Sequence, residues 1–318
     1  MDLTSWLVKT DTVVGFATVD TASCVSRNLS SPPLSLSRYA LVCLGALLAV
    51  TIGCARTPTS IIDGQTTQSL RHSMIDRLVD VSVKVAIERD GRRVSSASGI
   101  VIASRPASQD AEAVSYVLTV AHALTGGDGA MISVGFCGPH AARGKFAAHV
   151  VSHGTPDTLD LALLRVPGIA VSPVVFPEDD RARLGEQILV VGFPEGQRLG
   201  ISGGLVSQLP LTAVQNGIPS DRVEHRIVVD AAAPRGVSGG GVFEVETGRL
   251  VGIVQGHQTV AFAVKDQAQS YALKFPVPGE TFVVPLTQIR PFLTSPEVAA
   301  EMRGASPISA QAMSGPPE

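Results

Sequence analysis

The chain has 318 residues, which suits one large domain or two small ones. Hydrophobic residues make up 45%, charged residues only 17%, and the mean hydropathy is +0.27, a balance that excludes an intrinsically disordered chain. A net charge of −3, a pI of about 6.2 and 4% aromatic residues provide neither a basic face nor a stacking platform, so they argue against nucleic acid as a partner.

Residues 1–54 read as a leader. From Tyr39 to Gly53 the chain runs YALVCLGALLAVTIG without a charge, between Arg38 and Cys54. These 15 residues fit the apolar core of a signal peptide and fall short of the roughly 20 that a spanning helix needs. Thr51, Ile52 and Gly53 before Cys54 resemble the lipobox of bacterial lipoprotein signals, in which a small residue precedes a cysteine that becomes lipidated, although Thr51 stands where Leu is usual. Cys54 is therefore the expected lipidation site, with a cleaved signal or an uncleaved N-terminal anchor as alternatives. The chain is expected in the cell envelope, periplasmic or extracellular, held at the membrane by a lipid or by its N terminus. Residues 1–37 carry Asp2, Asp11 and Asp20 and fit a signal leader poorly, which suggests a partly mis-assigned start.

Residues 55–68 are polar, with Pro and Gly, and read as a linker; a short helix is expected over Ser69–Asp80. Strand signals then follow at short intervals: Val81–Ile87, Ser98–Ala103, Ser115–Val120, Met131–Phe136, Phe146–His153 and Leu161–Val166. A Pro-containing stretch over Pro167–Asp180 separates them from a second series: Gln187–Gly192, Gly203–Ser207, Val223–Asp230, Gly241–Glu246 and Arg249–Gln255, with Tyr271–Ala272 and Phe282–Val284 further on. A short helix is expected at Leu286–Leu293, and a disordered tail over 297–318. Two series of about six short strands predict an all-β fold of two six-stranded antiparallel barrels, the first over about 79–166 and the second over about 185–285, within a domain spanning 69–296.

Cys137 is the one cysteine of this body, so no internal disulfide is expected there, and it reads as a buried, packed thiol. His72, His140, His149, His153 and His225 have no carboxylate or Cys partners at ligand spacing, so neither a metal nor a cofactor is expected.

Three segments carry the chemistry. Leu118-Thr119-Val120-Ala121-His122-Ala123 is an apolar strand ending in a His. Asp160-Leu161-Ala162-Leu163-Leu164 opens an apolar strand with an Asp. Gly236-Val237-Ser238-Gly239-Gly240-Gly241 sets a Ser in a Gly-rich turn, where Gly236 tolerates positive φ and lets the N–H groups of Gly236 and Ser238 converge as an oxyanion hole. The chain order His122, Asp160, Ser238 is that of a chymotrypsin-like triad: Ser238 as nucleophile, His122 as base, Asp160 as its orienting partner. Asp157 is the alternative acid. The run Gly236–Gly240 also satisfies the G-x-S-x-G elbow of α/β-hydrolases, but the segment after it reads as a β-hairpin, and His257 and Asp266 come in the wrong order.

The segments TVAHAL, DLALL and GVSGG resemble the trypsin-like serine peptidases, and most of all the bacterial HtrA (DegP-type) branch. Val229–Ser238 is similar to that branch's approach to the nucleophile, and Val190–Pro194 to its entry into the second barrel. Val237 stands where Asn or Asp is common, and Gly241 where Pro is common. The resemblance implies a serine endopeptidase acting on proteins or peptides, possible roles being quality control or processing, with an idle trypsin-fold binding protein as the alternative. It places Ala231, Ala232 and Ala233 on one wall of the specificity pocket with Gly252, Ile253, Val254 and Gln255 opposite. A pocket without charge favours small or medium aliphatic side chains. The branch usually continues into a PDZ domain, and the residues after Leu293 are too few for one. Many relatives are trimers, yet no trimerising segment is recognisable, and the oligomeric state stays open. In this branch the oxyanion loop can rest in an inactive form, and Arg235, inside that loop, is expected to help switch it.

Overall fold

The computed structural model describes residues 64–125, 129–139, 143–155, 158–210, 225–265 and 270–305. The apolar run before Cys54, Cys54 itself, His140, Asp157 and Asp266 lie outside them.

The domain opens with helix α1 (Gly64–Val81), whose Met74, Leu78 and Val81 recur at helical spacing and are buried. Gly248, at φ +69°, sits so close to Met74 that a Cβ there would lie 2.9 Å from the Met74 side chain, which docks α1 on a turn of the second barrel. Twelve strands follow. β1 (Ser82–Arg89), β2 (Arg92–Arg105), β3 (Val114–Thr119), β4 (Met131–Phe136), β5 (Gly144–His153) and β6 (Ala162–Pro167) close into one barrel in the order β1-β2-β3-β6-β5-β4. β7 (Gln187–Gly192), β8 (Gly200–Gln208), β9 (Ile227–Val229), β10 (Gly241–Glu244), β11 (Leu250–Lys265) and β12 (Ser270–Pro285) close into a second, in the order β10-β11-β12-β9-β8-β7. All pairings are antiparallel, so the expected pair of six-stranded antiparallel barrels is what the chain forms.

The second barrel is filled by residues two apart on its strands, such as Ile188 and Val190, Ile227 and Val229, the period that aims side chains at one face. The larger core runs from the first barrel into the contact between the two, where Val191, Phe243, Leu250 and Ile253 join Leu118, Leu163 and Ile100. The linker between the barrels is fastened to both: Val174 N–H donates to the Val101 carbonyl (2.8 Å) and Leu250 N–H to the Val175 carbonyl (3.3 Å). Helix α2 (Leu286–Leu293) forms where expected, with Leu286, Ile289 and Phe292 buried, and Arg290 pairs with Asp180 of the linker.

Several expectations need correction. The segments read as separate short strands at Arg249–Gln255, Tyr271–Ala272 and Phe282–Val284 belong to two 16-residue strands, β11 and β12, paired from Gly252↔Pro285 out to Lys265↔Ser270. The outer part of this ribbon exposes Val260, Phe262, Leu273 and Phe275, with Phe262 and Phe275 in edge contact at 5.9 Å. Cys137, expected to be buried, is exposed. The tail expected to be loose from residue 297 begins with helix α3 (Pro296–Glu301), which buries Val298 completely.

Helix α3 is held by Tyr116 of β3. The Tyr116 ring is buried and its hydroxyl donates to the Glu301 carbonyl at 2.8 Å. Burial, and then the Glu301 carboxylate, push the Tyr116 hydroxyl above its ordinary value of 10.0. Tyr116→Phe is therefore expected to lower stability by about 1 kcal/mol at neutral pH. The unfolded chain ionises this group first as pH rises past 10.0, so wild type loses stability there while the Phe variant keeps its own, and the gap between them narrows. Denaturant titrations at neutral and alkaline pH measure both effects.

Candidate active site

β3 and β6 are antiparallel neighbours with Thr119 opposite Ala162. The residues just after β3 and just before β6 therefore lie side by side. β3 is buried throughout and ends in a short 3-10 turn, Ala121–Leu124, that carries His122. Asp160 stands two residues before β6, buried at 3% side-chain exposure beside a His122 ring exposed at 41%. Both carboxylate oxygens engage His122: the backbone N–H donates to Oδ1 (2.8 Å) and the ring Nδ1–H to Oδ2 (2.7 Å). With Nδ1 protonated and held, Nε2 keeps its lone pair and is the ring atom left for chemistry.

Ser238 lies in the turn that leads into β10. The four consecutive carbonyls of this turn each accept a hydrogen bond from the protein. Arg235 O takes the Glu195 N–H (2.7 Å), Gly236 O the Ser98 hydroxyl (2.7 Å), Val237 O the Gly240 N–H (2.8 Å) and Ser238 O the Ser98 N–H (2.8 Å). Across a trans peptide the N–H points opposite to the carbonyl. Fixing Arg235 O and Val237 O therefore turns the Gly236 and Ser238 N–H groups the other way, and among the described residues neither donates to a protein acceptor. Gly236 reaches this geometry at φ +88°, where a Cβ would lie 2.6 Å from the Phe193 carbonyl.

Ser98 links this turn to the first barrel. Beyond its two contacts with the turn, its Oγ accepts the Phe193 N–H (2.8 Å) and its carbonyl accepts the Thr119 hydroxyl (2.7 Å). Thr119 ends β3, three residues before His122, so Ser238 and His122 are tied to the same strand end. No hydrogen bond joins Ser238 and His122 among the described residues.

The expected pocket segments are partly brought together. The carbonyls of Ala231, Ala232 and Ala233 are held by the Thr281 hydroxyl, the Ser202 hydroxyl and His257 Nδ1–H respectively. Ala231 and Ala233 are buried and Ala232 is exposed. Gly252, Ile253 and Val254 are buried; the Ile253 side chain belongs to the larger core and the Val254 side chain to the core of the second barrel. From β11, His257 reaches the Ala segment, a residue that sequence reasoning weighed only as out of order for another hydrolase. Arg235 is exposed, and its carbonyl is what the turn uses. Ser98 was also missed. Its one sequence signal is a small hydroxyl residue at the head of the apolar run that reaches Ala103.

Two closed six-stranded barrels with a His–Asp pair on one and a Gly-rich serine turn on the other define a fold of the chymotrypsin type. Residues 97–253 match the family model of the trypsin-like peptidase domain. The relatives this chain matches are named as serine proteases, most of them DegP-like. It is 31% identical over 165 residues to a "Probable periplasmic serine endoprotease DegP-like" of Marinomonas sp., covering 52% of this chain and 30% of that one. It is 30% identical over 129 residues to the serine protease PepD of Mycobacterium tuberculosis, covering 39% and 28%. The chain spans about 30% of the length of the curated relatives it matches. The serine endoprotease of Yersinia pestis shares the fold at a TM-score of 0.51 and 17% identity, over 73% of this chain and 67% of that one.

The His122–Asp160 geometry is testable without substrate. Nitrogen NMR shifts of the His122 ring should report the Nδ1–H tautomer in wild type and move towards Nε2–H in Asp160→Asn, whose amide can donate to Nδ1. An unchanged tautomer in the variant would show that another group orients the ring.

Proposed function

We propose that this chain is a serine endopeptidase that hydrolyses peptide bonds through an acyl-enzyme. The observation that carries this reading is the turn at residues 235–238, whose carbonyls are all engaged while the N–H groups of Gly236 and Ser238 are left for a substrate oxygen. In this reading Ser238 Oγ attacks the scissile carbonyl carbon and His122 Nε2 takes its proton. The oxyanion settles on the two N–H groups, where loss of one such donor typically costs about 10²–10³ in rate. His122 returns the proton to the leaving amine, and water then repeats the sequence on the acyl-enzyme. Asp160 keeps the ring oriented and stabilises its cation. Catalytic hydrogen bonds commonly tighten only with substrate in place, so the unmade Ser238–His122 bond is compatible with this role.

The Ala231–Ala233 segment brings no charge to the primary pocket, which supports cleavage after small or medium aliphatic residues. Wild type should take a fluorophosphonate label and cleave a peptide library after such residues. Ser238→Ala should do neither, with activity down by about 10⁴-fold or more. An unlabelled but folded wild type would favour an idle binding protein, and dominant cleavage after Lys or Arg would overturn the pocket assignment.

The same reading includes export to the cell envelope, anchoring at Cys54 or through the apolar run before it, and work in protein quality control or processing. It rests on the sequence of that run and on relatives described as periplasmic. Among the described residues no helix is long and apolar enough to cross a membrane. Cell fractionation should find wild type with membranes and Cys54→Ser released from them; a variant that stays bound would shift the anchor from the lipid to the apolar run.

A further inference from the structure

We infer that Ser98 is a positioning residue that keeps the oxyanion hole assembled, an inference that rests on the serine peptidase reading. Ser98 is fully buried in β2, on the first barrel, and 138 residues from Gly236, whose carbonyl its hydroxyl holds. Glycine rotates freely between positive and negative φ, so nothing in Gly236 itself keeps its N–H turned towards the substrate. The orientation must come from the two peptide planes that flank it.

Ser98 Oγ acts on both planes. It donates to the Gly236 carbonyl and so holds the plane after Gly236, whose other side is held by the Val237 N–H donating to the Pro234 carbonyl (3.1 Å). It also accepts the N–H of Phe193, the first residue of the turn Phe193–Gly196. That turn supplies the Glu195 N–H that holds Arg235 O and so fixes the plane before Gly236. The turn does not hold its shape by intrinsic preference alone, because Glu195 sits at φ +51°, a conformation few side chains favour. Its far end is fastened to the first barrel by Lys84 and Arg93, which both donate to the Gly196 carbonyl (3.2 and 3.0 Å). One hydroxyl therefore joins the oxyanion loop to the turn that restrains it. Space around it is confined by glycines: a Cβ on Gly192 would lie 2.8 Å from Ser98 Oγ, and one on Gly239 would run into the Ser98 carbonyl.

Ser98→Ala deletes the hydroxyl while leaving the Ser98 N–H and carbonyl bonds in place, so the barrels should stand and the loop should loosen. Steady-state kinetics on a small-aliphatic peptide substrate should show kcat lowered by about 10- to 100-fold with KM within about twofold. Affinity for a peptide boronate, whose tetrahedral adduct needs the hole, should fall in step with kcat, and the denaturation midpoint should stay near that of wild type. An unchanged kcat, or a loss carried entirely by KM, in the folded variant overturns the inference. Should Ser98→Ala fail to fold, Ser98→Cys, which keeps a weaker donor in place, carries the same comparison, with a kcat below that of wild type expected and an unchanged kcat overturning the inference. A wild type that neither cleaves nor takes a phosphonate label counts against the peptidase reading. Crystallography of Ser98→Ala then decides separately: a turned Arg235–Gly236 peptide upholds the role of Ser98, and an unmoved loop removes it.

Discussion

The hydrogen bond from the Ser98 N–H to the Ser238 carbonyl, 2.8 Å long, crosses from one barrel to the other and brings the serine turn to the end of β3. A closed barrel satisfies its own strands, so two such bodies have few backbone groups left with which to fix each other. What remains is at the strand ends and loops, and there this chain concentrates its polar contacts. Thr119 reaches the Ser98 carbonyl, Ser98 reaches Gly236 and Ser238, and Asp160 reaches both the backbone and the ring of His122. The apolar contact behind them, with Phe243 and Ile253 set among residues of the first barrel, supplies adhesion without direction. Direction comes from the hydrogen bonds.

That division explains what could be read from the sequence. His122, Asp160 and Ser238 were legible because each sits where a local pattern changes: an apolar strand gives way to His, an Asp precedes an apolar strand, and a Ser is enclosed by glycines. Most strands were legible for the same reason, and β4, β7 and α2 fall on the expected residues. Ser98 was not, because a hydroxyl bound to a carbonyl 138 residues away leaves no trace in its own neighbourhood. The β11–β12 ribbon was missed for another reason. Its apolar residues do alternate, at Val260 and Phe262 and at Leu273 and Phe275, but Pro276, Pro278 and Gly279 read as breaks. A two-stranded arm has free edges on which Pro costs no ladder bond, so the breaks were tolerated. Helix α3 escaped because an Ala-rich segment of six residues has no stability of its own; it exists through Val298 and the Tyr116–Glu301 contact.

The glycines after Ser238 show how closely backbone approaches backbone at the site. At Gly239, φ +84°, a side chain would meet the Ser98 carbonyl and the Thr119 hydroxyl, the two atoms that connect the serine turn to β3. At Gly241, where a Pro is common in the family this chain resembles, a Cβ would run into the Phe243 ring and lie 3.0 Å from Ile100. The departure from Pro thus goes with a large aromatic side chain that fills the space at the barrel contact.

Val237 is the other departure, and it changes how the loop is anchored. Where an Asn or Asp would fasten the loop by polar contacts, Val237 is buried at 3% exposure among Ile188, Val190, Val242 and Val254 of the second barrel. Burying a Val side chain contributes about 1.5–3 kcal/mol and sets depth, but it has no preferred rotation about the backbone. An apolar anchor can therefore hold the loop down without deciding which way its peptide planes face. Within the loop the Val237 N–H donates to the Pro234 carbonyl (3.1 Å), and the partners that orient Gly236 from outside are the Glu195 N–H before it and the Ser98 hydroxyl after it. The replacement of a polar residue inside the loop and the reliance on a hydroxyl from the opposite barrel are two sides of one arrangement.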